Sequence, residues 1–226
     1  MAETVKEGDF VQVDYTGKIV DGNVIFDTTI ESVARQNNLY ANGTRYRPVE
    51  ICVGKKHIVA GIDKNLVGRE TGKEYTFTVS PEDGFGQKNP KLIQLISTDK
   101  FRKQGINPIP GLQVNIDGVI GVVRTVSGGR TVVDFNHPLA GKNLEYHVTI
   151  KKILASAEEK VDAALKLLGI KAGKKLVGDT LTLTMPELPK QIQENIAKTL
   201  ADLVKDIKKV SFELGTTIPS EKSEAK

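Results

Sequence analysis

Apolar side chains recur at every second position through short blocks in the first half of this chain. Only one stretch has helical spacing. In residues 10–15, Val11, Val13 and Tyr15 alternate with Gln12 and Asp14, and residues 18–26 repeat the alternation around Asp21-Gly22-Asn23. Residues 44–53 carry Tyr46, Val49, Ile51 and Val53, and residues 70–79 alternate Tyr75, Phe77 and Val79 with threonines. A period of two puts all the apolar groups of a strand on one face, so these blocks predict antiparallel strands with one face buried, the first two forming a hairpin. Residues 58–66 break the rhythm: Ile58, Val59, Ile62 and Leu66 lie at helical intervals between Gly54 and Gly68. One short helix must therefore cover the sheet. Residues 31–43 are long for a strand connection and predict a rim or an irregular loop with a helical turn near 33–36.

The texture changes after Gly86. Residues 87–101 carry Leu92, Ile93, Leu95, Ile96 and Phe101, and 105–111 form a Pro/Gly connector. Val114, Ile116, Ile120, Val122, Val126, Val132, Val133 and Phe135 then alternate across Asp117-Gly118 and Ser127-Gly128-Gly129, which predicts a second small β-unit. Near 145–153 the alternation of Tyr146, Val148 and Ile150 predicts a strand that rejoins the first sheet, which would make the middle an insertion. The last third turns helical. Ser156 is an N-cap candidate ahead of Val161, Ala164, Leu165 and Leu168, and Gly169 stops that helix. Residues 180–185 alternate as a strand. Pro189 opens a long helix with Ile192, Ile196, Leu200, Leu203, Val204 and Ile207 on one side, and residues 210–214 are strand-like. Residues 220–226 read as a charged, disordered tail. A chain of 226 residues with 39% hydrophobic content supports two or three small cores.

Several function classes lack their residues. Cys52 is the only cysteine, and His57, His137 and His147 are scattered, so neither a disulfide framework nor a zinc cluster is available and no metal site is expected. A reducing cytoplasm suits such a chain. The N-terminus has no apolar signal core, and no stretch approaches the ~18 apolar residues of a membrane span. The 32 basic and 28 acidic residues are interspersed, which describes a mixed solvated surface and not a nucleic-acid stripe. Nucleophile elbows, Walker loops, His-Glu-x-x-His helices and dinucleotide fingerprints are absent; Gly84-Phe85-Gly86 continues as Gln87-Lys88-Asn89, which breaks the last of these.

One ordered series remains: Asp14-Tyr15-Thr16-Gly17, Val24 through Thr29, Val53-Gly54, Ile58 through Asp63, Val67-Gly68 and Pro81-Glu82-Asp83-Gly84-Phe85-Gly86. In order and spacing it resembles the FKBP family of peptidyl-prolyl cis/trans isomerases. Val133 through Leu144 resembles the return from the insert-in-flap domain of SlyD-type members, and the C-terminal layout with Lys209-Val210-Ser211-Phe212 resembles long archaeal-type members. The resemblance implies an α+β fold: an antiparallel half-barrel wrapped on a short helix (1–86 and 136–154), an inserted β-rich domain (87–135) and a C-terminal α/β domain (155–219). It implies a prolyl isomerase pocket from Tyr15, Phe26, Asp27, Ile58, Val59, Ile62, Phe85 and Tyr146, with Val49 and Ile51 on a neighbouring strand. The proline ring would sit on Ile62, Asp27 would lie near the substrate carbonyl, and the Val59 N–H would donate to a substrate carbonyl.

It also implies that the insert binds unfolded clients, that the last domain mediates dimerisation or client contact, and that no cofactor is needed. Leu92, Ile93, Leu95, Ile96, Phe101, Ile106, Ile109 and Leu112 are the client-binding candidates that the resemblance implies; taken as residues alone, they read first as the core of the insert. Phe85 stands where many relatives have a tyrosine, and Ile62 where some have an indole. These departures keep a second reading open, a non-catalytic binding scaffold or holdase built on the same fold.

Overall fold

The computed structural model describes residues 3–215. Its first sheet contains β1 (Phe10–Ile19), β2 (Val24–Thr28), β3 (Val49–Cys52), β4 (Glu74–Val79) and β9 (Leu144–Ile153). The order is β2-β1-β9-β4, with β3 sharing an edge of β1: the first half of that edge pairs with β3 and the second half with β2. All pairings are antiparallel. The middle of the chain is an insertion between β4 and β9, because β9 returns to lie between β1 and β4.

The alternation expected from the sequence places Val11, Val13, Phe77, Val79, Tyr146, Val148 and Ile150 on one buried face. Helix α2 (Ala60–Leu66) packs there through Ile62 and Leu66, both fully buried. Its Gly61 must be small: a Cβ would lie 2.5 Å from Val79 Cγ1. Buried Asp63 accepts from the Gly54 and Lys56 N–H groups at 2.8 and 2.9 Å, which fixes the loop that enters the helix. Helix α1 (Glu31–Gln36) supplies the turn expected near residue 33. Residues 44–48, expected as strand, are irregular. Pro48 cannot donate to a ladder, and the Tyr46 hydroxyl folds the segment back by donating to the Leu39 carbonyl and accepting from the Ala41 N–H.

The insertion begins with a 3₁₀ turn (Pro90–Leu92) and builds a second antiparallel sheet, β5-β8-β7-β6, from β5 (Ile93–Ser97), β6 (Gln113–Ile116), β7 (Val119–Ser127) and β8 (Arg130–Asp134). Helix α3 (Thr98–Lys103) crosses between β5 and β6. Asp117 and Gly118 both take positive φ, the backbone of a two-residue hairpin turn. The core is small: Phe101, Val114, Val123 and Val133.

The last third forms β10 (Gly173–Val177), β11 (Thr180–Met185) and β12 (Lys209–Leu214), with α4 (Ala157–Leu167) and α5 (Lys190–Leu203). Ser156 and Glu159 close a reciprocal capping box on α4. Strands β11 and β12 run parallel, as the α5 crossover requires. Strand β10 was not expected, and α5 ends at Leu203, so Ile207 joins the core from beyond the helix. Phe10, Cys52 and Leu154 of the first sheet are buried in the same core as α4 and α5, which ties the third sheet to the first. The expected tail, 220–226, lies outside the described residues.

Candidate active site

The aromatic wall of the site starts from a glycine. Gly17 on β1 pairs with Tyr146 on β9 and with Asp27 on β2, where the register slips and Phe26 is left as the extra residue of a bulge. A Cβ on Gly17 would stand 2.7 Å from Phe26 Cζ and 2.8 Å from Tyr146 Cε1. The missing side chain is therefore the space in which these rings meet. Phe26 and Tyr146 cross edge to face at 5.8 Å and 88°, and Tyr15 meets Tyr146 at 6.1 Å and 64°.

Asp27 stands exposed at the rim. The Tyr15 hydroxyl donates to its Oδ2 at 2.7 Å. Burial first, and then this bond and the negative charge of Asp27, push the Tyr15 phenol above its ordinary value; burial and the same charge do so for Tyr146. Both hydroxyls stay protonated in neutral solution.

The floor comes from α2 and the loop before it. Ile62 is fully buried, while Ile58 and Val59 are partly buried against the same cluster. Val59 is the N-cap of α2, and its carbonyl accepts from Ile62 and Asp63. Its own N–H donates to no backbone carbonyl among the described residues. Phe85 packs partly buried against the same cluster. The Gly86 N–H donates to the Pro81 carbonyl at 2.7 Å, and the Gly141 N–H donates to the Gly86 carbonyl at 2.8 Å, so both ends of the insertion are laced together here. His137 then stacks on Phe85 with ring centroids 4.5 Å apart and planes 1° from parallel.

Seven of the eight expected pocket residues thus share one apolar cluster, and Asp27 joins through Tyr15. Val49 and Ile51 belong to the cluster too. Sequence reasoning missed Gly17 and His137 as parts of the site. Gly17 carried a signal only through its place in the Tyr-Thr-Gly series, and His137 only through the run that follows the insertion. A solvent-open cleft of about 500 Å³ adjoins the cluster and shares Tyr15, Ile58, Val49 and Ile51 with it.

The eight client candidates divide. Leu92, Ile93, Leu95 and Ile109 are exposed, Ile96, Ile106 and Leu112 pack partly buried against the core of the second sheet, and Phe101 is buried within it. Phe101 is therefore a core residue of the insertion and offers no surface to a client.

Residues 1–102 match the family model described as FKBP-type peptidyl-prolyl cis-trans isomerase, and residues 94–139 match FKBP26, IF domain. The short-type peptidyl-prolyl cis-trans isomerase of Methanocaldococcus jannaschii is 35% identical over 159 residues, which cover 70% of this chain and 100% of that protein. The chain belongs to the FKBP-type peptidyl-prolyl cis-trans isomerase family. Another FKBP-type relative, the 16 kDa peptidyl-prolyl cis-trans isomerase of Escherichia coli, is 32% identical over 157 residues, covering 68% of this chain and 96% of the relative. The FKBP-type isomerase SlyD of Vibrio cholerae is 27% identical over 162 residues, 70% of this chain and 72% of that protein. As an FKBP-type chain it combines the family's half-sheet and short helix with an insertion that begins just after Phe85. Among the described residues no helix is long and apolar enough to cross a membrane.

Proposed function

We infer that this protein is a peptidyl-prolyl cis/trans isomerase acting on X-Pro bonds of unfolded proteins. The observation that carries this reading is the apolar cradle around Ile62, with a single tyrosine-oriented carboxylate at its rim, in a chain of the FKBP-type family. Rotation about a prolyl amide meets a barrier near ~20 kcal/mol because resonance must be lost. In the twisted state the amide loses charge separation, so a dry aromatic and aliphatic site binds it better than the planar ground state. No proton transfer or covalent step is required.

Within this reading the eight pocket residues hold the prolyl bond: Ile62 under the ring, Tyr15, Phe26, Phe85 and Tyr146 around it, Asp27 near the substrate carbonyl, and the Val59 N–H as donor. We assign the isomerase to 1–86 and 136–154, client capture to 87–135, and self-association to 155–219. Exposed Leu92, Ile93, Leu95 and Ile109 support client capture, since exposed apolar side chains attract unfolded segments with little selectivity. Exposed Val177 and Leu214 on the two edge strands of the third sheet support a homodimer. Size-exclusion chromatography with and without residues 155–226 tests that assignment.

The deciding experiment is refolding of a protein limited by prolyl isomerisation. Catalytic amounts of the chain should accelerate the slow phase in proportion to concentration, and an unchanged slow phase overturns the reading.

A further inference from the structure

Phe85 lies in the turns that follow β4, outside any strand or helix, so no sheet face or helix stripe sets the direction of its ring. The side chain has no hydroxyl, and no hydrogen bond can fix it. Packing must do so. Phe85 is partly buried against the cluster around Ile62, and among the described residues the one other ring it meets is that of His137, 4.5 Å away and 1° from parallel. A ring stacked face to face cannot change rotamer without leaving its partner.

His137 is itself exposed, yet it is braced. Its Nδ1 accepts the Leu139 N–H at 3.2 Å, which sets the plane of the imidazole, and its carbonyl accepts the Ala140 N–H at 2.9 Å, which closes a tight turn. Before it, Asn136 is bonded to Asn89 and to Asp134; after it, the Gly141 N–H donates to the Gly86 carbonyl at 2.8 Å. The residue next to Phe85 is thus bonded into the turn that carries the imidazole. Leu139 seats that turn by packing on the same apolar cluster as Phe85. The turn by itself does not ask for this side chain, because Asn at position 137 could accept the same N–H two residues on. Only a flat ring supplies the stack.

We propose that His137 is a positioning residue of the prolyl site: its imidazole plane holds the Phe85 ring in the wall of the pocket, where no hydrogen bond can. The proposal rests on the isomerase reading, in which Phe85 touches the substrate and His137 acts through it.

The test compares full-length variants on one short proline peptide, each rate scaled to the folded fraction. His137→Ala should lower kcat/KM about five-fold, the effect of losing one well-placed aromatic pair. His137→Phe keeps a flat ring without the turn bond and should recover most of that loss. His137→Asn keeps an acceptor for the Leu139 N–H without the ring and should stay as low as His137→Ala. In a Phe85→Leu background, where no ring is left to position, His137→Ala should cost less than about two-fold more. A purely structural role for the turn predicts the opposite pair of outcomes, rescue by Asn and none by Phe. That result, unchanged turnover in His137→Ala, or the same loss with and without the Phe85 ring, overturns the positioning role and leaves the isomerase standing. A wild-type chain that turns over no proline peptide overturns both.

Discussion

The Tyr15 hydroxyl reaches across the β1–β2 pair to donate a 2.7 Å hydrogen bond to Asp27 Oδ2, joining the half-buried aromatic wall to a carboxylate at its rim. A bond to a charged acceptor is worth about 1.5 kcal/mol at the low end of its range, the end that an exposed carboxylate calls for. Tyr15→Phe keeps the ring and loses this bond, so Asp27 becomes free to swing. We expect kcat/KM for a short proline peptide to fall about ten-fold with little change in thermal midpoint. Because burial and Asp27 both raise the Tyr15 pKa, the wild-type profile should show no decline from this group up to about pH 10. Unchanged turnover in Tyr15→Phe would remove the orienting role.

Gly17 is required for space. A methyl group there would sit 2.7 Å from Phe26 and 2.8 Å from Tyr146, and Tyr146 is buried and cannot move outward. Gly17→Ala should cost about 1–3 kcal/mol through overpacking and lower the thermal midpoint by several degrees. Turnover should fall further than stability, since Phe26 is the freer ring and leaves the wall of the pocket. A variant with normal midpoint and normal kcat/KM would mean that the ring positions are not critical.

The sequence made legible whatever depends on local period. The β1–β9 pairing links distant segments, yet Tyr146, Val148 and Ile150 announced it because a strand with one buried face must alternate. What periodicity cannot resolve is which alternating block finds a partner. Residues 44–48 alternate but spend the Tyr46 hydroxyl on their own loop, and β10 was missed because Lys174 and Lys175 lie on an edge strand with little to bury. Apolar character likewise cannot separate core from surface: Phe101 and Leu95 look alike in sequence, and only the fold buries the first and exposes the second. Most of the residues that gather in the apolar cluster around Ile62 were named through the ordered family resemblance. The Phe85–His137 stack was not, since only the closure of the insertion brings those rings together.

That closure makes the insertion sensitive to acid. Asp134 is 2% exposed at the last residue of β8, and it accepts from Lys88 Nζ at 3.2 Å, from Arg124 at 3.0 Å and from the Asn136 backbone and side chain at 2.9 and 2.8 Å. Burial alone would raise its pKa, but these donors more than offset it and hold the carboxyl well below the usual range. A depressed folded pKa contributes stability that is fully present above the unfolded value, about pH 4, and is lost as pH falls toward the folded value. The insertion should therefore lose stability progressively below pH 4. Asp134→Ala should cost about 3 kcal/mol at pH 7 and flatten the acid limb. Chemical denaturation followed from pH 7 to pH 3 checks both, and an acid limb of equal slope in the variant would assign the sensitivity elsewhere.

The geometry at the stem also sets how the insertion can be removed. The Asn89 N–H donates to Asn136 Oδ1 at 2.8 Å, and Asn136 Nδ2 donates to the Asn89 carbonyl at 3.1 Å, so the two crossings lie side by side. A short Gly-containing turn can replace the intervening residues without opening the half-barrel, because the apolar core of the insertion shares no residue with that of the first sheet. If the insertion captures clients, its excision should leave kcat/KM for a short peptide within about two-fold. Catalysed refolding of a proline-limited protein should fall at least ten-fold, since tethering a client raises the local concentration of its prolyl bonds at the pocket. Leu95→Asp with Ile109→Asp offers the same test without excision, both side chains being exposed and outside the core. Equal losses on peptide and protein would show that the insertion serves the pocket's structure. A loss confined to the protein substrate separates capture from rotation.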